Sequence, residues 1–345
     1  MSPQRVRPVS ITLLLIVSLI WSIAAVAASG ESGSFTGRWA LHLPNGASWL
    51  EVRQEEGFLD GDLLWRWGSV TPAASVLMNG ESLIVTRAEE KERNKDAAGK
   101  ALRTHIMTSW FEFRMTGTDE LMGHALVPDG DGKKYELMVF WGKRIPPLPP
   151  PPDLSKIKFG KPIALFNGKD LTGWRLIDPQ SKNGFHVENG VLVNDPVQEE
   201  GKPHIHYGNL RTIQEFEDFN LKLQVNVPKG SNSGIYLRGL YEVQVLDSYG
   251  KPLDSHHMGG IYSRITPAVS AEKPADEWQD FDITLCDRHV TVILNGQTII
   301  DNQPIDGITG GALSADEFAP GPIYLQGDHG KVLYRNMVLK PILKN

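Results

Sequence analysis

The sequence predicts an all-β protein built from two units. Glycine (34) and proline (23) punctuate the chain at short intervals, long helical patterns are scarce, and apolar residues recur with a period of two. A length of 345 residues accommodates two domains of ordinary size, and 41% hydrophobic residues give each a core. The formal net charge of −6, without a basic run able to follow a phosphate backbone, argues against nucleic acid as a partner.

Residues 1–27 read as a signal peptide. Arg5 and Arg7 precede the apolar run from Ile11 to Ile23, and Ala25-Val26-Ala27 offers a small-residue cleavage site. That run is shorter than the roughly 20 residues of a spanning helix, which places an uncleaved anchor second. The chain is therefore expected to be exported, periplasmic or extracellular, with no integral membrane domain after cleavage. The single cysteine, Cys286, allows no internal disulfide and lies in a strand-like run, so it is expected as a small buried hydrophobe rather than a nucleophile.

The first unit covers residues 33–144. Phe35 to Trp39 opens a strand, Trp49 to Arg53 alternates, and a turn at Leu59 to Asp62 leads into Leu63 to Trp67. Leu83 to Thr86, Thr108 to Thr116 and Glu136 to Gly142 follow. The charged stretch Ala88 to Lys100 reads as a solvated loop or short helix. Six or more short strands predict a small barrel or compact sandwich. The Gly37-x-Trp39 opening resembles the start of lipocalin-like barrels. Trp65, Trp67, Trp110 and Trp141 are expected to fill its core, with a ligand mouth as the alternative. Residues 145–157 form a linker, because six prolines among the seven residues Pro146 to Pro152 favour a stiff polyproline spacer.

The second unit covers residues 158–345. Gly184 to Val193 is a hairpin turning at Asn189-Gly190, and Phe219 to Val227 is a long alternating strand. Trp278 to Cys286, His289 to Leu294, Thr298 to Asp301, Ile323 to Gln326 and Val332 to Leu339 add further strands. Together they predict a double-sheet jelly roll. At its centre, Asn232 to Asp247 forms two strands joined at Gly239. Alternation puts Ile235, Leu237, Val243 and Val245 on one face and Tyr236, Arg238, Glu242 and Gln244 on the other. Ile323 and Leu325 against Tyr324, Gln326 and Asp328 repeat the pattern. Side by side, three such strands make a polar floor for a polyhydroxy ligand.

Several blocks of this second unit occur in a familiar order. They are Leu165-Phe-Asn-Gly-Lys-Asp-Leu-Thr-Gly-Trp174, Gly208-Asn-Leu-Arg-Thr212, Asn232-Ser-Gly-Ile-Tyr-Leu-Arg238, Tyr241-Glu-Val-Gln-Val-Leu-Asp247, Gly260-Ile-Tyr262, Glu277-Trp278, Val292-Ile-Leu-Asn-Gly296 and Gly321-Pro-Ile-Tyr-Leu-Gln-Gly-Asp-His329. The ordered set resembles the 3-keto-disaccharide hydrolases, also described as 3-keto-glucoside 1,2-lyases and 3-keto-2-hydroxy-glucal hydratases, over about Lys158 to Pro341. The resemblance implies a concanavalin A-like jelly roll and an enzyme acting on an oligosaccharide or glycoside oxidised at C3. Ser263, where the family often has glycine, and His256-His257-Met258, which replace a more glycine- and cysteine-rich pattern, depart from it.

A ketone at C3 acidifies the C2 proton. A base removes it, the C1 substituent leaves, and water can later add across the new double bond. Such a site needs a base within roughly 3 Å of that proton and a donor aimed at the developing enolate. Glu242 could be the base or a metal ligand. Arg238 could hold the enolate oxygen or pair with Glu242. His257 or His329 could be the base instead. Tyr236, Tyr262 and Tyr324 could stack on a pyranose or act as acid, and Gln244, Gln326 and His329 could bind hydroxyls. No cofactor is required outright. A divalent metal could be held by Asp247 and Asp328, and His204-x-His206 has ligand spacing. Two other readings stay open: an ordinary glycosidase using Glu242 and Asp328 as its carboxyl pair, and a lectin-like module that binds glycans without catalysis.

Overall fold

The computed structural model describes residues 34–199 and 201–344, so the signal-peptide reading lies outside the described residues. One nine-stranded antiparallel sheet spans residues 37–145, in the spatial order 71–72, 58–65, 47–55, 37–42, 135–145, 120–128, 101–115, 82–95, 75–79. The strand Gly37–His42 pairs with both Ala47–Glu55 and Tyr135–Ile145. The two edge strands are joined through Ala73 and Ala74, whose N–H groups donate to Gly61 O at 2.8 Å and Thr86 O at 2.7 Å. The meander thus closes on itself as a small barrel. Trp39, Leu50, Leu63, Trp65, Val85, Phe111, Phe113 and Phe140 fill its interior.

Two expectations for this unit are corrected. Trp65 joins the core, but Trp67 and Trp141 stand on the surface, 65% and 48% exposed. Trp67 lies beyond the end of Phe58–Trp65, where Arg66 takes φ 62° and breaks the alternation. Trp141 lies in a stretch of Tyr135–Ile145 whose alternate residues face out of the barrel. The charged stretch 88–100 is neither helix nor loop for most of its length. Ser82–Lys95 and Ala101–Met115 continue as one hairpin whose register runs from Ser82 opposite Arg114 to Lys95 opposite Ala101. The outer part of this hairpin is largely exposed, so no apolar alternation marks it.

Residues 158–343 form two packed sheets. The larger follows 185–188, 191–194, 332–343, 219–226, 278–286, 289–294, 297–304, with 158–159 and 163–164 also on 332–343. The smaller follows 174–176, 210–212, 324–325, 232–237, 241–246. Leu221, Leu223, Phe281, Ile283 and Val292 of the larger sheet share one buried cluster with Ile235, Leu237, Val243, Val245 and Leu325 of the smaller. Each such side chain contributes about 1.5–3 kcal/mol on burial. A one-residue slip would turn that row to solvent, so the apolar row pins the register and with it the polar row on the opposite face. This is the jelly-roll sandwich that the alternation predicts.

The barrel is docked on the sandwich. Ala40, Ala47, Trp49, Leu64 and Ile145 belong to the sandwich's hydrophobic cluster. The Arg264 guanidinium lies 4.1 Å from the Trp49 ring centroid, and Arg38 pairs with Asp306. A Cβ at Gly307 would fall 2.3 Å from Trp49 Nε1, so this approach requires glycine. Pro146–Pro152 has no strand or helix, and it is not a free spacer: Arg288 donates to Pro147 O at 3.3 Å and Asn302 Nδ2 to Pro152 O at 3.0 Å. Cys286 is buried, and burial pushes its thiol up to about 12, which suits a packing role.

Candidate active site

The outward face of the smaller sheet is the floor of a cavity of about 530 Å³. Strand pairing places its side chains in rows. Glu242 sits opposite Tyr236, and Tyr236 opposite Tyr324. Gln244 sits opposite Gly234, whose carbonyl accepts the Gln326 N–H at 3.0 Å. Asn209 Oδ1 accepts the Gly327 N–H at 2.9 Å and extends this row. Gly234 makes space for the carboxyl of Glu242: a Cβ there would fall 2.2 Å from Glu242 Oε1. Barrel residues Trp67 and Gly68 and the segment Gly310-Gly311 form part of the wall.

Glu242 is 4% exposed, and among the described residues no lysine or arginine pairs with it. Burial pushes its carboxyl up to about 8, against the smaller opposing pull of the Tyr236 hydroxyl. Geometry points the same way. Tyr236 has one proton and two acceptors in reach, Glu242 Oε2 at 2.8 Å and Gly310 O at 2.7 Å. Both contacts are hydrogen bonds if Glu242 is protonated, the carboxyl donating to the phenol oxygen and the phenol donating to Gly310. Tyr324 stacks on Tyr236 with centroids 3.8 Å apart and donates to Gly311 O at 2.7 Å. Burial lifts both phenols well above their ordinary range, so they stay protonated.

Two floor acceptors, Asn232 Oδ1 and Gln326 Oε1, are buried with no hydrogen-bond partner in the protein. An unpaired buried acceptor costs about 1–3 kcal/mol. Both residues border the cavity, where donors from outside the fold can reach the floor. Gln244 also borders it, but its amide ends are engaged by His256 O at 3.1 Å and the Val245 N–H at 3.2 Å. Its part is to hold the 256 loop. Tyr262 meets the His256 ring edge-on at 4.6 Å.

The structure therefore gathers Glu242, Tyr236, Gln244, Tyr262, Tyr324, Gln326, Asp328 and His329 around one cavity. It places three expected residues elsewhere. Arg238 follows the last residue of Asn232–Leu237, adopts φ 55°, and sends its guanidinium to Glu317 O at 2.8 Å, so it neither reaches the cavity nor pairs with Glu242. His257 lies on the far side of its loop, with Nδ1 2.7 Å from Pro252 O, in a cleft with Ser248 and Glu272. Its neighbour His256 is the one turned toward Tyr262. Asp247 accepts the Gly230 N–H at 2.8 Å at a turn, outside the cavity that Asp328 borders.

Asp328 keeps its place as a candidate metal ligand and gains partners. Its Oδ2 lies 3.0 Å from His204 Nε2 and 3.2 Å from His206 Nδ1, and its Oδ1 accepts the Tyr207 N–H at 2.8 Å. The ligand atoms of His204, His206 and Asp328 lie within 4.8 Å of one another. Two imidazoles and a carboxylate fit a divalent transition ion. Burial works to raise the Asp328 carboxyl, but the Tyr207 N–H and the two histidines outweigh it and hold it low. Burial also lowers the His329 imidazole, against the opposing pull of Asp328.

The sequence points to neither Asn232 nor Asn209 as a site residue, and to Trp67 only as barrel core or the lining of a ligand mouth, not as a neighbour of this sheet face. Asn232 was within reach, since it lies four residues before Tyr236 in one strand and so on the same face. Asn209 carries no local signal, and nothing local places Trp67 beside this cavity, because both positions depend on which segments become neighbours.

The site is thus a cavity over one sheet face of a jelly roll, bordered by hydroxyl, amide and carboxyl side chains. The chain belongs to the family of 3-keto-alpha-glucoside-1,2-lyase-like domains, whose profile matches residues 161–340, just over half of the chain. Among solved structures it is similar to two glycosyl hydrolase candidates from Parabacteroides distasonis. One is 29% identical over 58% of this chain and 94% of that one, with a TM-score of 0.44. The other is 23% identical over 53% and 94%, with a TM-score of 0.43. A carbohydrate-binding module from Bacillus subtilis is 12% identical over 48% and 93%, with a TM-score of 0.32. No curated protein sequence matches the chain.

Proposed function

We propose that this cavity cleaves 3-keto-glycosides by elimination across C1 and C2, with Glu242 as the base. The observation that carries the reading is a single buried carboxyl on the cavity floor, without a cationic partner among the described residues and poised near neutral pH. Substrate hydroxyls donate to Gln326 Oε1 and Asn232 Oδ1. When Glu242 is ionised, the Tyr236 hydroxyl turns from Gly310 O to Glu242 Oε2 and supports the carboxylate. Glu242 then takes the C2 proton, the electron pair moves onto the C3 oxygen, and its return expels the C1 substituent, whose oxygen takes a proton from solvent. In the hydration step the oxygen of water adds at C1, releasing one proton to solvent, and Glu242 returns its proton to C2. His204, His206 and Asp328 would hold a divalent cation, which when bound supplies Lewis-acid stabilisation of substrate oxygens.

The ordinary glycosidase reading is less well supported. It needs a second carboxyl free to work with Glu242, and Asp328 is engaged by the Tyr207 N–H, His204 and His206. The test is to incubate purified protein, with and without divalent metal, with 3-keto-glucosides and with the unoxidised glucosides. Cleavage confined to the keto form is expected. Cleavage of both forms would establish a glycosidase, and binding without turnover a lectin-like module.

A further inference from the structure

The barrel lies outside residues 161–340, yet its loop Arg66–Val70 borders the cavity. The loop is tied down on both sides. On the barrel side the Arg66 N–H donates to Ser48 Oγ at 3.1 Å, and its guanidinium donates to both oxygens of Glu136 at 3.0 Å. On the sandwich side Arg66 O accepts the Gly311 N–H at 2.9 Å, Ser69 Oγ lies 2.8 Å from His256 Nε2, and the Val70 N–H donates to Ser263 Oγ at 2.9 Å. Gly310 packs directly on Gly68: a Cβ at 310 would fall 2.2 Å from Gly68 O.

Two of these ties run against local preference. Ser263 holds φ 60° and Arg66 holds φ 62°, backbone conformations that glycine adopts without steric cost. Each is held by contacts across the barrel–sandwich junction. The same Gly310-Gly311 segment that carries the loop accepts the hydroxyls of Tyr236 and Tyr324, so the loop is one layer removed from the floor. Against this hydrogen-bonded frame stands Trp67, a large indole left 65% exposed at the edge of the cavity. Indoles offer a flat, electron-rich face that attracts the slightly positive C–H face of a sugar ring, at low entropy cost because few bonds must be frozen.

We propose that the Arg66–Val70 loop is a built wall of the sugar site and that Trp67 determines specificity, stacking on the ring joined through the scissile C1–O bond. The barrel thereby selects glycosides with a second sugar or a cyclic aglycone over those with a small one. This rests on the elimination reading above, in which the oxidised ring sits over Glu242.

The experiment uses the full chain and its variants Trp67→Ala, Trp67→Phe and Ser263→Gly, with a 3-keto-disaccharide and methyl 3-keto-glucoside as paired substrates. Trp67→Ala is expected to lower the disaccharide-to-methyl ratio of kcat/KM about tenfold, equivalent to about 1.4 kcal/mol, with the change in KM. Phenylalanine should restore most of it, and Ser263→Gly should lower it by a smaller factor by untying Val70. A ratio unmoved in Trp67→Ala, with the wild type active, overturns the wall and leaves the elimination reading standing. Should the wild type turn over neither substrate, the elimination reading fails, and calorimetric binding of the disaccharide decides the wall: a tenfold weaker Kd in Trp67→Ala upholds it, and equal or absent binding overturns it.

Discussion

Replacing Glu242 by Gln tests the centre of the proposal in two independent ways. The folded protein holds this carboxyl near 8, against an ordinary value of 4.5. A pKa raised on folding means that the folded state binds the proton more tightly than the unfolded chain. The stability this contributes is complete below 4.5 and is lost as pH rises through about 8. Between pH 5 and pH 8 the loss amounts to about 3 kcal/mol. Glutamine keeps the size and an acceptor for Tyr236 but has no proton to lose. Chemical denaturation of both proteins across this range should therefore show the wild type losing stability relative to Glu242→Gln as pH rises. Other buried acids, such as Glu317 and Asp218, are common to both and cancel in the difference. A difference that stays flat from pH 5 to pH 8 would refute the buried, proton-holding carboxyl. Activity supplies the second measurement. Loss of a general base should lower kcat by about 10²–10⁴-fold. The wild-type kcat/KM should climb with pH, reach half its plateau near 8 and level off about one unit higher, because the ionised form is the base. A profile that instead falls above 8 would make Glu242 the acid.

Three further outcomes follow from the geometry and one from the leader-like sequence of residues 1–27. Gly234→Ala should displace the Glu242 carboxyl, since its Cβ would lie 2.2 Å from Oε1, and lower kcat/KM by about 10²-fold with the fold retained by circular dichroism. Asp328→Asn should abolish divalent metal binding measured by elemental analysis of the purified protein; retention of one ion per chain would remove His204, His206 and Asp328 from consideration. His257→Ala should stay within about twofold of wild type, as its contacts lie in a different cleft; a large loss would restore it to the site. Mass spectrometry of secreted or periplasmic material should find a chain beginning at Ala28, and an intact leader would refute export by cleavage.

Alternation is a local property, and what it governs could be read directly from the sequence. Tyr236, Glu242, Gln244, Tyr324 and Gln326 lie on one face because Ile235, Val243 and Leu325 must lie on the other, and burial enforces that split. The same rule failed where a strand ended. Arg238 extends the pattern on paper, but it adopts a left-handed conformation at the turn and swings away. His256 and His257 sit in an irregular loop, where no period says which of two neighbours faces the cavity. Ser263 and His256, the departures from the family pattern, hold the barrel loop, a role visible only once residues nearly two hundred positions apart have met. The raised carboxyl of Glu242, the His204–His206–Asp328 cluster and the place of Trp67 at the cavity belong to tertiary structure for one reason. Each depends on strand order and on the docking of the barrel, which bring distant segments together, exclude water from some polar groups and leave others without a partner.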